Sequence, residues 1–149
     1  MRNPLLNLRG KMKKSDCNAS CENRIDSYLK SRLADLEKLL RGDIGDFDED
    51  GHLPSLCEYG LCFDYVASGT FPDQDEAYFR YQLSWGGPSD EFRFFVNPDL
   101  SCHRVEYWFL DWFDGAQRTL QHAERALLLE LWEWFSETGT VRGAFHQRS

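Results

Sequence analysis

The stretch AYFRYQLSWGGPSDEFRFFVNPD, residues 77–99, decides the architecture. From Ala77 to Trp85 the apolar side chains Phe79, Tyr81, Leu83 and Trp85 alternate with Tyr78, Arg80, Gln82 and Ser84. A period of two marks a strand that buries one face. Gly86-Gly87-Pro88-Ser89-Asp90 has turn composition, and Glu91–Val96 resumes the alternation, with Phe92, Phe94 and Val96 inward and Arg93 and Phe95 outward. Asn97-Pro98-Asp99 is a second turn. Strands joined by such short connections pair antiparallel.

Upstream, Cys57, Tyr59, Leu61, Phe63 and Tyr65 alternate with Glu58, Gly60, Cys62 and Asp64, which predicts a half-buried strand over Leu56–Val66. Ser68–Glu76, with Gly69, Pro72 and three acids, reads as a loop. Downstream, His103–Leu110 sets Val105, Tyr107 and Phe109 against Arg104, Glu106 and Trp108, a fourth strand. Trp112-Phe113-Asp114-Gly115 then has the composition of a strand-to-helix turn.

Helices flank this run. Ile25, Tyr28, Leu29, Leu33, Leu36, Leu39 and Leu40 recur at three- and four-residue steps, one face of a helix over Cys21–Arg41. Asn18 or Ser20 suits its start and Gly42 its end. Leu120, Ala123, Leu127, Leu131 and Trp134 stripe a second helix from about Thr119 to Glu137, ended by Gly139. The order predicts an α+β fold: a four-stranded antiparallel meander with the N-terminal and C-terminal helices packed on one face. Residues 1–18 are expected as a flexible basic arm, 19–139 as a single domain and 140–149 as a flexible tail. Leu128, Leu129 and Trp132 widen the last helix's apolar surface, offering a homodimer interface unless a thick helical layer uses it.

Composition bounds the function. Of 149 residues, 42% are hydrophobic and 15% aromatic, too rich for a disordered chain. No apolar run approaches the ~20 residues of a membrane-spanning helix. Lys11, Lys13 and Lys14 precede no apolar signal stretch. The five cysteines, an odd count, suit reduced thiols and a cytoplasmic location. Cys17, Cys21, Cys57 and Cys62 lack the tight knuckle spacing of a structural zinc site and read as small apolar residues.

The formal charge of −8 is unevenly spread: residues 42–79 hold ten Asp and Glu and neither Lys nor Arg. Such a segment repels nucleic acid and anionic lipid and attracts basic surfaces, so the expected partner is a protein with a basic surface. Neither direct nucleic-acid binding nor membrane association is expected.

Three chemistries fit parts of the chain. Asp46, Asp48 and Asp50, followed by Gly51 and Leu53, match the first eight positions of the helix–loop–helix calcium motif. Its twelfth position is Cys57 instead of a bidentate glutamate, and Glu58 comes one residue late, so a Ca²⁺ module using Asp46, Asp48, Asp50 and Glu58 is an alternative lacking its strongest ligand. Otherwise no cofactor is expected. For catalysis, His52, His103, His122 and His146 are scattered, no nucleophile or phosphate-loop motif occurs, and Asp111 and Asp114 are the one carboxylate pair at a strand end; a small enzyme is the other alternative. For binding, the sheet face opposite the helices should show Tyr78, Phe95 and Trp108 beside Arg80, Arg93 and Arg104, with Glu58 and Glu106 among them. Aromatics and arginines carry interface energy. The plainer reading is that those arginines pair with Glu58 and Glu106 across strands.

The segment Leu53–Thr140, above all Phe79-Arg80-Tyr81-Gln82-Leu83-Ser84-Trp85-Gly86-Gly87-Pro88-Ser89-Asp90-Glu91-Phe92-Arg93-Phe94, resembles small, uncharacterised acidic proteins carried on bacterial plasmids and integrated mobile elements. The resemblance implies a cytosolic bacterial accessory protein of the antirestriction or anti-CRISPR kind. Several such inhibitors act as nucleic-acid mimics on host defence complexes. It transfers no catalytic or binding residue. The resulting expectation is a non-enzymatic protein-interaction module. Asp46, Asp48, Glu49 and Asp50 with the Asp73/Asp75/Glu76 loop would supply charge, and Tyr78, Phe95 and Trp108 buried area.

Overall fold

A computed structural model describes residues 20–42 and 56–147. Helix α1 spans Cys21–Arg41. The Ser20 hydroxyl caps its start by accepting the Asn23 N–H, and Gly42, at φ 66°, closes its end in the left-handed conformation that glycine adopts without strain. Its buried stripe is Cys21, Ile25, Leu29 and Leu36.

The class is α+β, but the sheet has five strands: β1 Cys62–Val66, β2 Tyr78–Ser84, β3 Ser89–Val96, β4 Cys102–Asp111 and β5 Asp114–Thr119. They lie in sequence order and every neighbouring pair is antiparallel, an uninterrupted meander. Helix α3, His122–Glu137, follows the sheet. Its Leu128, Leu131, Trp132 and Phe135 share one core with the α1 stripe and with Phe79, Tyr81, Phe92, Phe94, Val105, Tyr107 and Phe109. Both long helices therefore cover the same, inner, face. Ring centroids of Trp132 lie 5.3 Å from Phe79 and 5.1 Å from Phe94, and Phe135 sits 4.4 Å from Phe63.

Polar contacts fix α1 on the far end of the sheet. The Cys21 N–H donates to Asp114 Oδ2 at 2.8 Å, Arg24 pairs with Asp111, and Arg118 reaches Asp26 at 3.0 Å and Glu22 at 2.9 Å. Arg32 grips Asp90 with two hydrogen bonds, Nε to Oδ2 at 2.7 Å and Nη2 to Oδ1 at 2.9 Å. Asp90 is 2% exposed and also accepts from Ser84 and Tyr107. Burial alone would push its carboxyl up; the hydrogen bonds from Arg32, Ser84 and Tyr107 outweigh that and hold it below the ordinary value.

Four expectations need correction. The strand predicted from Leu56 begins only at Cys62, because Leu56–Tyr59 forms one helical turn, α2. Gly60 follows it so close to Tyr81 that a Cβ there would stand 2.2 Å from the ring, and Tyr59 turns back to donate to Asp35 at 2.7 Å. Leu61 and Trp85, expected inward, are 59% and 77% exposed. Asp111–Asp114 does not lead into a helix; Trp112 and Phe113 form the tip of a hairpin, Trp112 at φ 56°, and β5 follows. With Ala116 its one buried residue, β5 carries no apolar alternation to reveal it. Finally, the expected loose tail contains helix α4, Thr140–His146, whose Val141 is 2% exposed and whose Phe145 packs edge-on against Tyr65 at 5.2 Å.

Leu128 and Trp132, the surplus apolar residues of α3, are buried in this core, and Leu129 packs against it. Among the described residues no helix is long and apolar enough to cross a membrane. The expected basic arm, residues 1–18, lies outside the described residues.

Candidate interaction site on the outer face of the sheet

The outer face is built by the alternation itself. Register places Arg80 opposite Arg93, Arg93 opposite Glu106, Phe95 opposite Arg104 and Glu91 opposite Trp108. Tyr78, Phe95 and Val66 form a small second core there, with Tyr78 and Phe95 rings 5.6 Å apart. These two aromatics, expected on the surface, are 1% and 5% exposed. Their covering is a layer of guanidinium groups. Arg93 lies 3.8 Å from the Trp108 ring centre and 4.6 Å from that of Tyr78, and Arg104 lies 3.9 Å from Phe95. Cation–π contact and dispersion both favour this stacking, and the planar arginine head sheds water more readily than an ammonium.

Each guanidinium is also ion-paired. Arg93 Nε donates to Glu91 at 2.6 Å, Arg80 takes Asp64 with two bonds of 3.0 and 2.7 Å, and Arg104 bridges Glu106 at 3.0 Å and Glu76 at 2.7 Å. The plainer expectation holds only in that the arginines are ion-paired: Glu106 takes part, but along its own strand with Arg104, the cross-strand pair is Arg80–Asp64, and Arg93 pairs with Glu91 on its own strand. Trp108 Nε1 donates to Glu106 at 2.9 Å. Glu58 is placed on α2 instead of on this face.

The β1–β2 connection folds over the same face. Gly69 N–H donates to the Gln74 carbonyl at 2.9 Å and Gln74 N–H to the Phe71 carbonyl at 3.2 Å. The Gln74 side chain accepts from Phe71 N–H at 3.1 Å and donates to the Glu76 carbonyl at 2.7 Å, while Asp73 takes a left-handed φ of 60°. Turn residues with their own backbone bonds give the loop a defined shape. The Glu76–Arg104 pair clamps it to the sheet.

Between loop and sheet lies a cleft of about 360 Å³. Phe71, Asp73, Asp75 and Glu76 line it from the loop; Tyr78, Arg93, Phe95, Glu106 and Trp108 line it from the sheet. The structure therefore brings together six of the residues singled out in the sequence: Asp73, Asp75, Glu76, Tyr78, Phe95 and Trp108. Asp73 and Asp75 are exposed and, among the described residues, have no cation beside them. The Tyr78 hydroxyl is buried with no hydrogen-bond partner among the described residues, and burial pushes its acidity down, raising its pKa. The cleft suits a cation that can also lie against aromatic rings.

Sequence reasoning missed Phe71, 47% exposed at the mouth of the cleft, and the covering role of Arg93 and Arg104. A bulky aromatic inside a turn-rich acidic loop was the available signal for Phe71. The other candidates fall elsewhere. Asp46, Asp48, Glu49, Asp50 and His52 lie outside the described residues. Asp111 and Asp114 hold Arg24 and the Cys21 amide, and hydrogen bonds from the Cys21 and Gly115 N–H groups keep the Asp114 carboxyl below its ordinary value. Among the described residues no group of three His, Cys, Asp or Glu gathers as a metal site would require.

Comparison with known proteins finds no matching family model, no matching curated protein and no matching solved structure.

Proposed function

We propose that the chain is a non-enzymatic protein-interaction module whose acidic surface engages the basic, nucleic-acid-binding surface of a host defence protein and so inhibits it. The observation that supports this reading is the outer-face cleft, where Asp73 and Asp75, with no cation beside them among the described residues, stand near the aromatic side chains of Phe71 and Trp108. Carboxylates oriented outward accelerate encounter with a basic partner and make the association sensitive to salt. Aromatic area beside them supplies short-range affinity that charge alone does not. The acidic residues Asp46, Asp48, Glu49 and Asp50 extend the same charge in sequence.

The test is capture of partners from bacterial lysate by the intact chain at low and high salt, with duplex DNA or RNA added as competitor. Partners should be lost at high salt and displaced by the nucleic acid they normally bind. Charge reversal of Asp73, Asp75 and Glu76 together with Asp46, Asp48, Glu49 and Asp50 should abolish capture. Retention of every partner by that variant, or indifference to the competitor, overturns the reading.

A further inference from the structure

The outer face repeats one motif, an arginine laid on an aromatic ring and tied to a carboxylate. Arg93 does this with Trp108 and Glu91, and Arg104 with Phe95, Glu76 and Glu106. At the mouth of the cleft the same ingredients recur without the arginine: Phe71 is half-exposed, and Asp73 and Asp75 have no cation among the described residues. Tyr78, which also lines the cleft, is 1% exposed, and its buried hydroxyl has no hydrogen-bond partner among the described residues.

We infer that this cleft receives a single arginine side chain of the partner, its guanidinium facing the Asp73 and Asp75 carboxylates and lying against Phe71, beside the Trp108 that Arg93 already covers. The inference rests on the proposed engagement of a basic surface and names the group that is gripped. Arginine fits better than lysine because a planar fork pairs with carboxylate and stacks on a ring at once, whereas an ammonium is a hydrated point charge. The defined loop favours this further: the Gln74 side chain ties the Phe71 N–H to the Glu76 carbonyl across the turn that carries Asp73 and Asp75, so little ordering remains to be done on binding.

The test uses the intact chain and three short peptides, acetyl-Gly-Arg-Gly-amide and its citrulline and lysine counterparts, followed by NMR at the Trp108 indole N–H. The arginine peptide should move that resonance saturably, the lysine peptide should bind several-fold more weakly, and citrulline, neutral but nearly isosteric, should give no saturable shift. Asp73→Asn with Asp75→Asn should weaken the arginine peptide about fivefold or more, the scale of partly solvated charge pairs. Asn also tolerates the left-handed backbone at position 73. Equal response to citrulline, an unaffected double variant, or a still Trp108 resonance overturns the inference. So does movement of Trp108 in Arg2→Gln/Arg9→Gln without peptide, which would make the chain's own arginine the occupant. If the double variant loses the peptide yet still captures a basic partner with full affinity, the arginine pocket falls and the broader reading stands. If the peptide binds but no basic surface is captured, the reverse holds.

Discussion

Phe94 and Phe95 are neighbours on β3, and they show how differently the two faces of one sheet are closed. Phe94, fully buried, meets Trp132 of α3 and Phe63 of β1. Phe95, 5% exposed, meets Tyr78 and lies under the Arg104 guanidinium. Helices seal the inner face with hydrocarbon. Arginines and one folded loop seal the outer face, and every covering arginine needs a carboxylate. Inner-face stability should follow volume and outer-face stability should follow charge, while the loop that completes the outer cover leaves a cleft beside Tyr78, Phe95 and Trp108.

The sharpest break of this comparison is a pair of truncations. Phe94→Ala should lower unfolding free energy by about 3–5 kcal/mol in urea melts, whereas Phe95→Ala should lose roughly 2 kcal/mol, because mobile arginine stems can settle into the space. Equal losses would mean that the arginine layer is packed as rigidly as the helices.

Asp90, a charge within the hydrocarbon side, comes next. Asp90→Ala removes the partner of Arg32 and should cost about 3 kcal/mol. Because the folded carboxyl titrates below its ordinary value of 3.8, its contribution is present above that pH and fades as pH falls through the folded value. The acid limb of the stability curve should therefore be shallower in Asp90→Asn than in the wild type, measured by urea melts from pH 6 to pH 2. An unchanged limb would show that Asp90 is not protonated on unfolding in acid.

On the outer face, Arg93→Met keeps the stem but strands Glu91, which is 3% exposed. The loss should be about 2 kcal/mol, and adding Glu91→Gln should recover most of it, a coupling read from a double-mutant cycle. Absence of recovery would mean that stacking on Trp108 and Tyr78, and not the ion pair, is what Arg93 supplies. The smallest effect belongs to Arg80→Ala, whose Asp64 partner is 43% exposed: at most about 1 kcal/mol, shrinking further in added salt.

How much of this was legible follows from what periodicity measures. α1 shows its full span in the sequence because stripe, Ser20 cap and Gly42 stop agree. The three central strands show to within two residues at each end because one face is apolar at every second residue. β5 and α4 are hidden: Asp114–Thr119 buries only Ala116, and Thr140–His146 is seven residues long with a glycine inside it. At the site, alternation correctly sorts Tyr78, Phe95 and Trp108 to one face but says nothing of what lies above them. That the acidic loop folds back over these rings depends on the Gln74 side chain and the Glu76–Arg104 pair, contacts 2 and 28 residues apart in the chain. Spacing rules do not reach that far.

The fastening of α1 has a consequence for synthesis. Its Cys21, Arg24 and Asp26 are held by Asp114, Asp111 and Arg118, partners 87 to 93 positions later. While the ribosome is still translating the central strands, the first helix has no surface on which to hide Ile25, Leu29 and Leu36, and a chain stalled before the final hairpin would present that greasy stripe to chaperones and proteases.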